Sequence, residues 1–125
     1  MKKILVSLVA LVAVVAAAPA EARVLTTAEK NLIAREVKRG LIDPESAQFR
    51  WGPTGPKASY CAEVNSKNSL GGYTGFAPFM AVLEQKNGAV FNVVVLAIES
   101  PDTLGAVRKT CNIEGYDDDY FRKTE

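Results

Sequence analysis

Two cysteines constrain this chain more than any other residues. Cys61 and Cys111 are the only ones in 125 residues. They stand too far apart for a Cys-x-x-Cys redox pair. Their surroundings are set by the start of the chain. Lys2 and Lys3 precede a nearly unbroken apolar run from Ile4 to Ala18, and Ala20-Glu21-Ala22 fits a small-x-small cleavage site. Residues 1–22 therefore read as an export signal, with Arg23 as the first mature residue. The run is short for a spanning helix, which needs about 20 residues. No cysteine sits at the cleavage region, which disfavours a lipid anchor. The predicted destination is periplasmic or secreted, and both are oxidising. A Cys61–Cys111 disulfide is the expected state. It would close a loop of about 50 residues and stabilise the fold by roughly 4 kcal/mol on the chain-entropy model.

Cleavage after Ala22 leaves 125 − 22 = 103 residues, enough for one small domain at 23–125. Removing Lys2, Lys3 and Glu21 leaves 13 basic and 13 acidic residues, a net charge of zero. A dedicated binder of nucleic acid or anionic membrane would carry a basic excess, so no nucleic-acid partner is expected. No transmembrane segment is expected after signal cleavage.

The mature chain opens with Thr26-Thr27-Ala28-Glu29, a capping box. The following helix runs to about Arg39. Ala28, Leu32, Ile33, Val37 and Leu41 form its apolar stripe, and charged residues fill a solvated outer face. Asp43-Pro44 starts a brief helical turn before a short strand at Phe49-Arg50-Trp51-Gly52. Ala58 to Val64 and Phe79 to Gln85 read as strands. Lys86-Asn87-Gly88 is a tight hairpin turn. Ala89 to Ile98 follows, and its continuous apolar residues from Val93 predict a central strand covered on both faces. Ser100 and Pro101 begin a last helix, with Leu104, Val107 and Cys111 on one side. Beyond Asn112 the chain turns acidic and is expected to form a loose C-terminal tail. The fold class is α+β: an antiparallel sheet of three to four strands, an N-terminal and a C-terminal helix packed mainly on one face, and one disulfide.

Chemistry is narrowed by what is missing. There is no histidine, which removes Ser-His-Asp and Cys-His sites and the usual zinc ligand sets. Neither a phosphate-binding loop nor a dinucleotide fingerprint is present. Asp117-Asp118-Asp119 lacks the alternation and the glycine of a calcium loop and reads as solvated. No cofactor, metal ligand or catalytic residue is assigned. Glu63, Glu84 and Glu99 lie on or beside strands and leave a two-carboxylate hydrolase open, though no spacing among them is diagnostic.

The remaining candidate is the loop from Asn65 to Ala77, long for a domain of this size. Asn65 and Asn68 can donate and accept, Lys67 carries charge, Tyr73 offers a flat face, and Thr74 a hydroxyl. These five are the candidate binding residues. Their other reading is structural, with the amides closing the loop on itself. Gly71, Gly72 and Gly75 permit close backbone approach.

Two segments carry a family resemblance. One is Leu41-Ile42-Asp43-Pro44-Glu45-Ser46-Ala47-Gln48-Phe49. The other runs Tyr60-Cys61-Ala62-Glu63-Val64-Asn65-Ser66-Lys67-Asn68-Ser69-Leu70-Gly71-Gly72-Tyr73-Thr74-Gly75-Phe76. Together they resemble a family of small, largely uncharacterised exported proteins of Gram-negative bacteria and their prophages. These share an Asp-Pro-x-Ser-Ala-x-Phe segment and a Cys-x-x-Val-Asn-x-Lys-Asn-Ser-x-Gly-Gly-Tyr-x-Gly-Phe segment. Ala62 replaces a common glycine and Leu70 a common aromatic. The resemblance implies export and fold kinship and brings no catalytic residues. The expectation is an exported, non-enzymatic interaction protein whose partner is a protein or cell-envelope component. Its rivals are a secreted effector acting outside the cell and, ranked last, an envelope hydrolase using Glu63 or Glu99.

Overall fold

The structure, a computed structural model, describes residues 22–55 and 57–124. Apart from Ala22, the expected export signal lies outside the described residues. Four strands form one antiparallel sheet: β1 (Gln48–Arg50), β2 (Ser59–Asn65), β3 (Ala77–Lys86) and β4 (Ala89–Ile98), in the spatial order β1-β2-β3-β4. Three helices accompany them: α1 (Thr27–Lys38), α2 (Ala106–Ile113) and α3 (Asp118–Lys123). The architecture is α+β, with one disulfide joining Cys61 to Cys111. Among the described residues no helix is long and apolar enough to cross a membrane.

Local chemistry fixes α1. The Thr26 hydroxyl accepts from the Glu29 amide, and the Glu29 carboxylate accepts from the Thr26 amide. Ile33 and Val37 are fully buried, whereas Ala28 is exposed and Glu29 takes its inward place. Glu29 can lie inside because its carboxylate is saturated. Arg23 grips it with two nitrogens at 2.7 Å each, and the Val90 amide donates to it at 2.8 Å. Burying an unpaired charge would be costly; burying one with this many donors is not.

Cross-strand register places Val64, Ala62 and Tyr60 of β2 on the same face as Phe79, Ala81 and Leu83 of β3 and Val93 of β4. Helix α1 packs over the β4 end of this face. Cys61, Glu63 and Met80 point the other way, toward α2 through the disulfide. The two helices expected on one face therefore cover opposite faces.

Strand β4 is an edge strand, not the central one its apolar run suggested. Among the described residues no strand pairs beyond it, and Phe91, Val94 and Leu96 are exposed. Its ladder with β3 slips twice, which leaves Phe91 and Leu96 without cross-strand partners. The C-terminal helix is also shorter than expected. A single 3-10 turn at Pro101–Thr103 ends at Leu104 and Gly105, both in the left-handed region at φ 52° and 81°. Leu104 therefore points outward, 90 % exposed, while Val107 and Cys111 are buried as expected.

The acidic tail is folded rather than loose. Asp117 caps α3 by accepting from the Tyr120 amide at 3.0 Å. Asp118 and Asp119 occupy the first turn and Arg122 and Lys123 the last, which matches the helix dipole at both ends. Tyr116 and Phe121 are buried beneath. Strand β1 covers only Glu63 to Asn65 of β2, which leaves the rest of that edge without a strand. The Tyr116 hydroxyl donates to the Ser59 carbonyl at 2.6 Å, and the Tyr120 hydroxyl to the Cys61 carbonyl at 2.7 Å. Two side chains thus supply the donors that a longer β1 would have supplied.

Candidate functional site

The loop between β2 and β3 is built from its own side chains. The Asn68 side-chain oxygen accepts from the Leu70 and Gly72 amides at 3.0 and 3.1 Å. Its backbone exchanges bonds with Gly71 and Gly72. Asn65 accepts from the Gly75 amide at 3.0 Å, where φ is +99° and a side chain would be strained. The Thr74 amide and hydroxyl both donate to the Ser66 carbonyl. Lys67 and Tyr73 form an antiparallel bridge, and the Lys67 ammonium lies 5.5 Å from the Tyr73 ring centroid.

Ser46 ties this small ribbon to the body. Its hydroxyl accepts from the Lys67 amide at 2.8 Å, and its carbonyl accepts from the Tyr73 hydroxyl at 3.0 Å. All five candidate residues thus fall within one ribbon. Asn65, Asn68 and Thr74 use their polar side-chain atoms to hold it. Lys67 and Tyr73 pair on it, with Tyr73 46 % exposed. Leu70 stands at the tip, 92 % exposed. Sequence reasoning set Leu70 aside as a departure from the family pattern and gave Ser46 no role in the loop.

A second feature had no sequence signal. Arg50, Glu63, Arg108 and Arg122 line a cleft of about 760 Å³ together with Asp118, Phe121 and Thr124. Glu63 is nearly buried, directly across from Arg50 in the β1–β2 ladder, and accepts from Arg108 at 3.3 Å. The Arg50 guanidinium lies 3.8 Å from the centroid of Phe76, so the cleft wall is continuous with the end of the loop. Arg108 stacks over Phe121 at 4.9 Å. The cleft comes from β1, β2, α2 and α3, and no motif joins residues so widely spaced.

The candidate acids are dispersed. Glu84 is exposed and bonded to Asn92. Glu99 accepts from the Arg108 amide at 3.3 Å, and its other oxygen is buried without a partner among the described residues. Glu63 shares the cleft with Asp118 rather than with Glu99. No family model, curated protein or solved structure matches this chain.

Proposed function

We propose that this chain is a small exported, non-enzymatic binding protein that contacts a protein or cell-envelope partner with the ribbon from Asn65 to Gly75. One observation carries the reading. Asn65, Asn68 and Thr74 close the ribbon with their side chains and Ser46 anchors it, yet it holds Leu70 out in solvent and half-exposes Tyr73 beside the Lys67 ammonium. A loop fixed before binding loses little conformational entropy on contact, which is how small surfaces reach useful affinity. An aromatic ring, an exposed leucine and one cation suit a protein surface. The disulfide is compatible with an oxidising compartment, in line with export.

The test is site-specific photocrosslinking in cells. A crosslinker at Leu70 should capture a discrete partner, and one at Leu104, equally exposed and far along the chain, should not. Lys67→Ala should weaken capture at Leu70. Equal capture at both positions, or none at Leu70, would overturn the proposal.

A second reading, hydrolysis at the cleft, is favoured by one observation: Glu63 and Asp118 both line it. Glu63→Gln distinguishes the two readings. It should leave partner capture at Leu70 intact, whereas a hydrolase would lose turnover of envelope glycan.

A further inference from the structure

We infer that the cleft between β1, α2 and α3 is a carboxylate-binding site for an acidic peptide segment. The inference does not depend on the ribbon and concerns a different surface.

Arginine forks recognise carboxylates in pairs of parallel hydrogen bonds, and a fork already oriented by an aromatic ring loses less freedom on binding. Two of the three guanidiniums here are oriented that way, Arg50 by Phe76 and Arg108 by Phe121. Arg50 makes no hydrogen bond or ion pair among the described residues. Arg108 gives a single nitrogen to Glu63 and keeps its other donors. Arg122 donates to Asp119 and to the Asp118 carbonyl at the rim. The donors that remain on Arg50 and Arg108 face one concavity.

Charge selects the ligand further. Arg108 is paired with Glu63 and Arg122 with Asp119, which leaves Arg50 as the lining guanidinium without an acidic partner among the described residues. One carboxylate matches that single open fork. A phosphate dianion would bring a second negative charge beside Glu63 and Asp118 and be repelled by them. A peptide also supplies what the acids need. Its backbone N–H groups can donate to Asp118 and to the Glu63 oxygen that Arg108 does not engage. The volume of about 760 Å³ is that of a small-ligand cleft, enough for a few residues.

The carboxylate could belong to an Asp or Glu side chain or to a chain terminus, and the experiment separates these. The disulfide-bonded protein, labelled with ¹⁵N, is titrated with acetyl-Ala-Glu-Ala-amide, with acetyl-Ala-Ala-Ala bearing a free carboxylate, with acetyl-Ala-Gln-Ala-amide, and with inorganic phosphate. At least one carboxylate peptide should shift the Nε–H signals of Arg50 and Arg108 saturably below about 10 mM. The tighter of the two names the source. The Gln peptide should leave these signals in place. Arg50→Gln removes an exposed side chain without disturbing the Glu63–Arg108 pair, and should weaken binding about tenfold. Arg122→Gln should weaken it less. Saturation by the Gln peptide, phosphate binding tighter than either carboxylate peptide, unchanged affinity in Arg50→Gln, or no saturable shift would each overturn the inference.

Discussion

The Tyr120 hydroxyl donates to the Cys61 carbonyl oxygen at 2.7 Å. The bond links α3 to the backbone of a disulfide cysteine, on the stretch of the β2 edge that β1 leaves uncovered among the described residues. Tyr116 makes the matching bond to Ser59 two residues earlier. The spacing reflects the strand period, because alternate carbonyls of β2 face the same edge. Burial raises both tyrosines above their usual range, so neither ionises near neutral pH.

Tyr120→Phe removes this donor and keeps the ring. It should lower stability by about 1–2 kcal/mol, because the Cys61 carbonyl is left without its partner. Gly52→Ala should cost at least as much, since a Cβ there would collide with the Tyr120 ring and hydroxyl. Urea unfolding monitored by tryptophan fluorescence measures both. A midpoint for Tyr120→Phe equal to that of the parent would show that water replaces the bond at no cost.

Glu29 sets an acid limit. The Arg23 guanidinium, together with hydrogen bonds from Thr26 and Val90, holds its carboxyl down at about 2, against an ordinary value of 4.5. A carboxylate lowered on folding stabilises the fold above its unfolded value and loses that contribution as pH falls toward its folded one. Stability should therefore decline between about pH 5 and pH 2, by roughly 2–3 kcal/mol for this group. Arg23→Ala should lower stability at pH 7 and flatten the decline. A parallel pH profile in the variant would show that Arg23 does not hold Glu29.

These contacts separate what was legible in the sequence from what was not. The Thr26–Glu29 box, the Asn87-Gly88 turn and the cysteine pair were legible because local spacing or simple counting decides each of them. Glu29's bonds to Arg23 and Val90 were not, because they join three elements. Apolar continuity in β4 could not say which side lacked a neighbour. Asp117-Asp118-Asp119 is exposed, as its charge predicts, but the tail reads as loose only when that charge is weighed without the flanking Tyr116, Tyr120 and Phe121, which turn inward. A helix start was present there in Asp117 as a cap, with basic residues at the other end. The ribbon's five candidate residues were legible as a group, because amides and glycines are what a self-closing turn requires. The cleft was not, since its arginines converge only through strand pairing and helix packing.

The disulfide should be resistant and consequential. Both sulfur-bearing residues are fully buried, so a reductant must await local opening. Native protein should show no reactive thiol and a mass two hydrogens below the reduced form. Once reduced, it should lose roughly 4 kcal/mol on the chain-entropy model for a separation of 50 residues. Rapid thiol labelling without denaturant would contradict the buried geometry.

Asn68 and Leu70 lie two residues apart on the ribbon and should respond in opposite ways. Asn68→Ala leaves the Leu70 and Gly72 amides without their acceptor. It should loosen the ribbon, raise amide exchange from Leu70 to Gly72, and cost about 1 kcal/mol or more. Leu70→Ser removes an exposed side chain that supports nothing, so stability should stay within about 0.5 kcal/mol of the parent. If the ribbon is a contact surface, Leu70→Ser should still weaken partner capture from a crosslinker at Tyr73. Capture unchanged in Leu70→Ser and lost in Asn68→Ala would mean that shape alone matters. Capture lost in Leu70→Ser with stability intact would mark Leu70 as a contact.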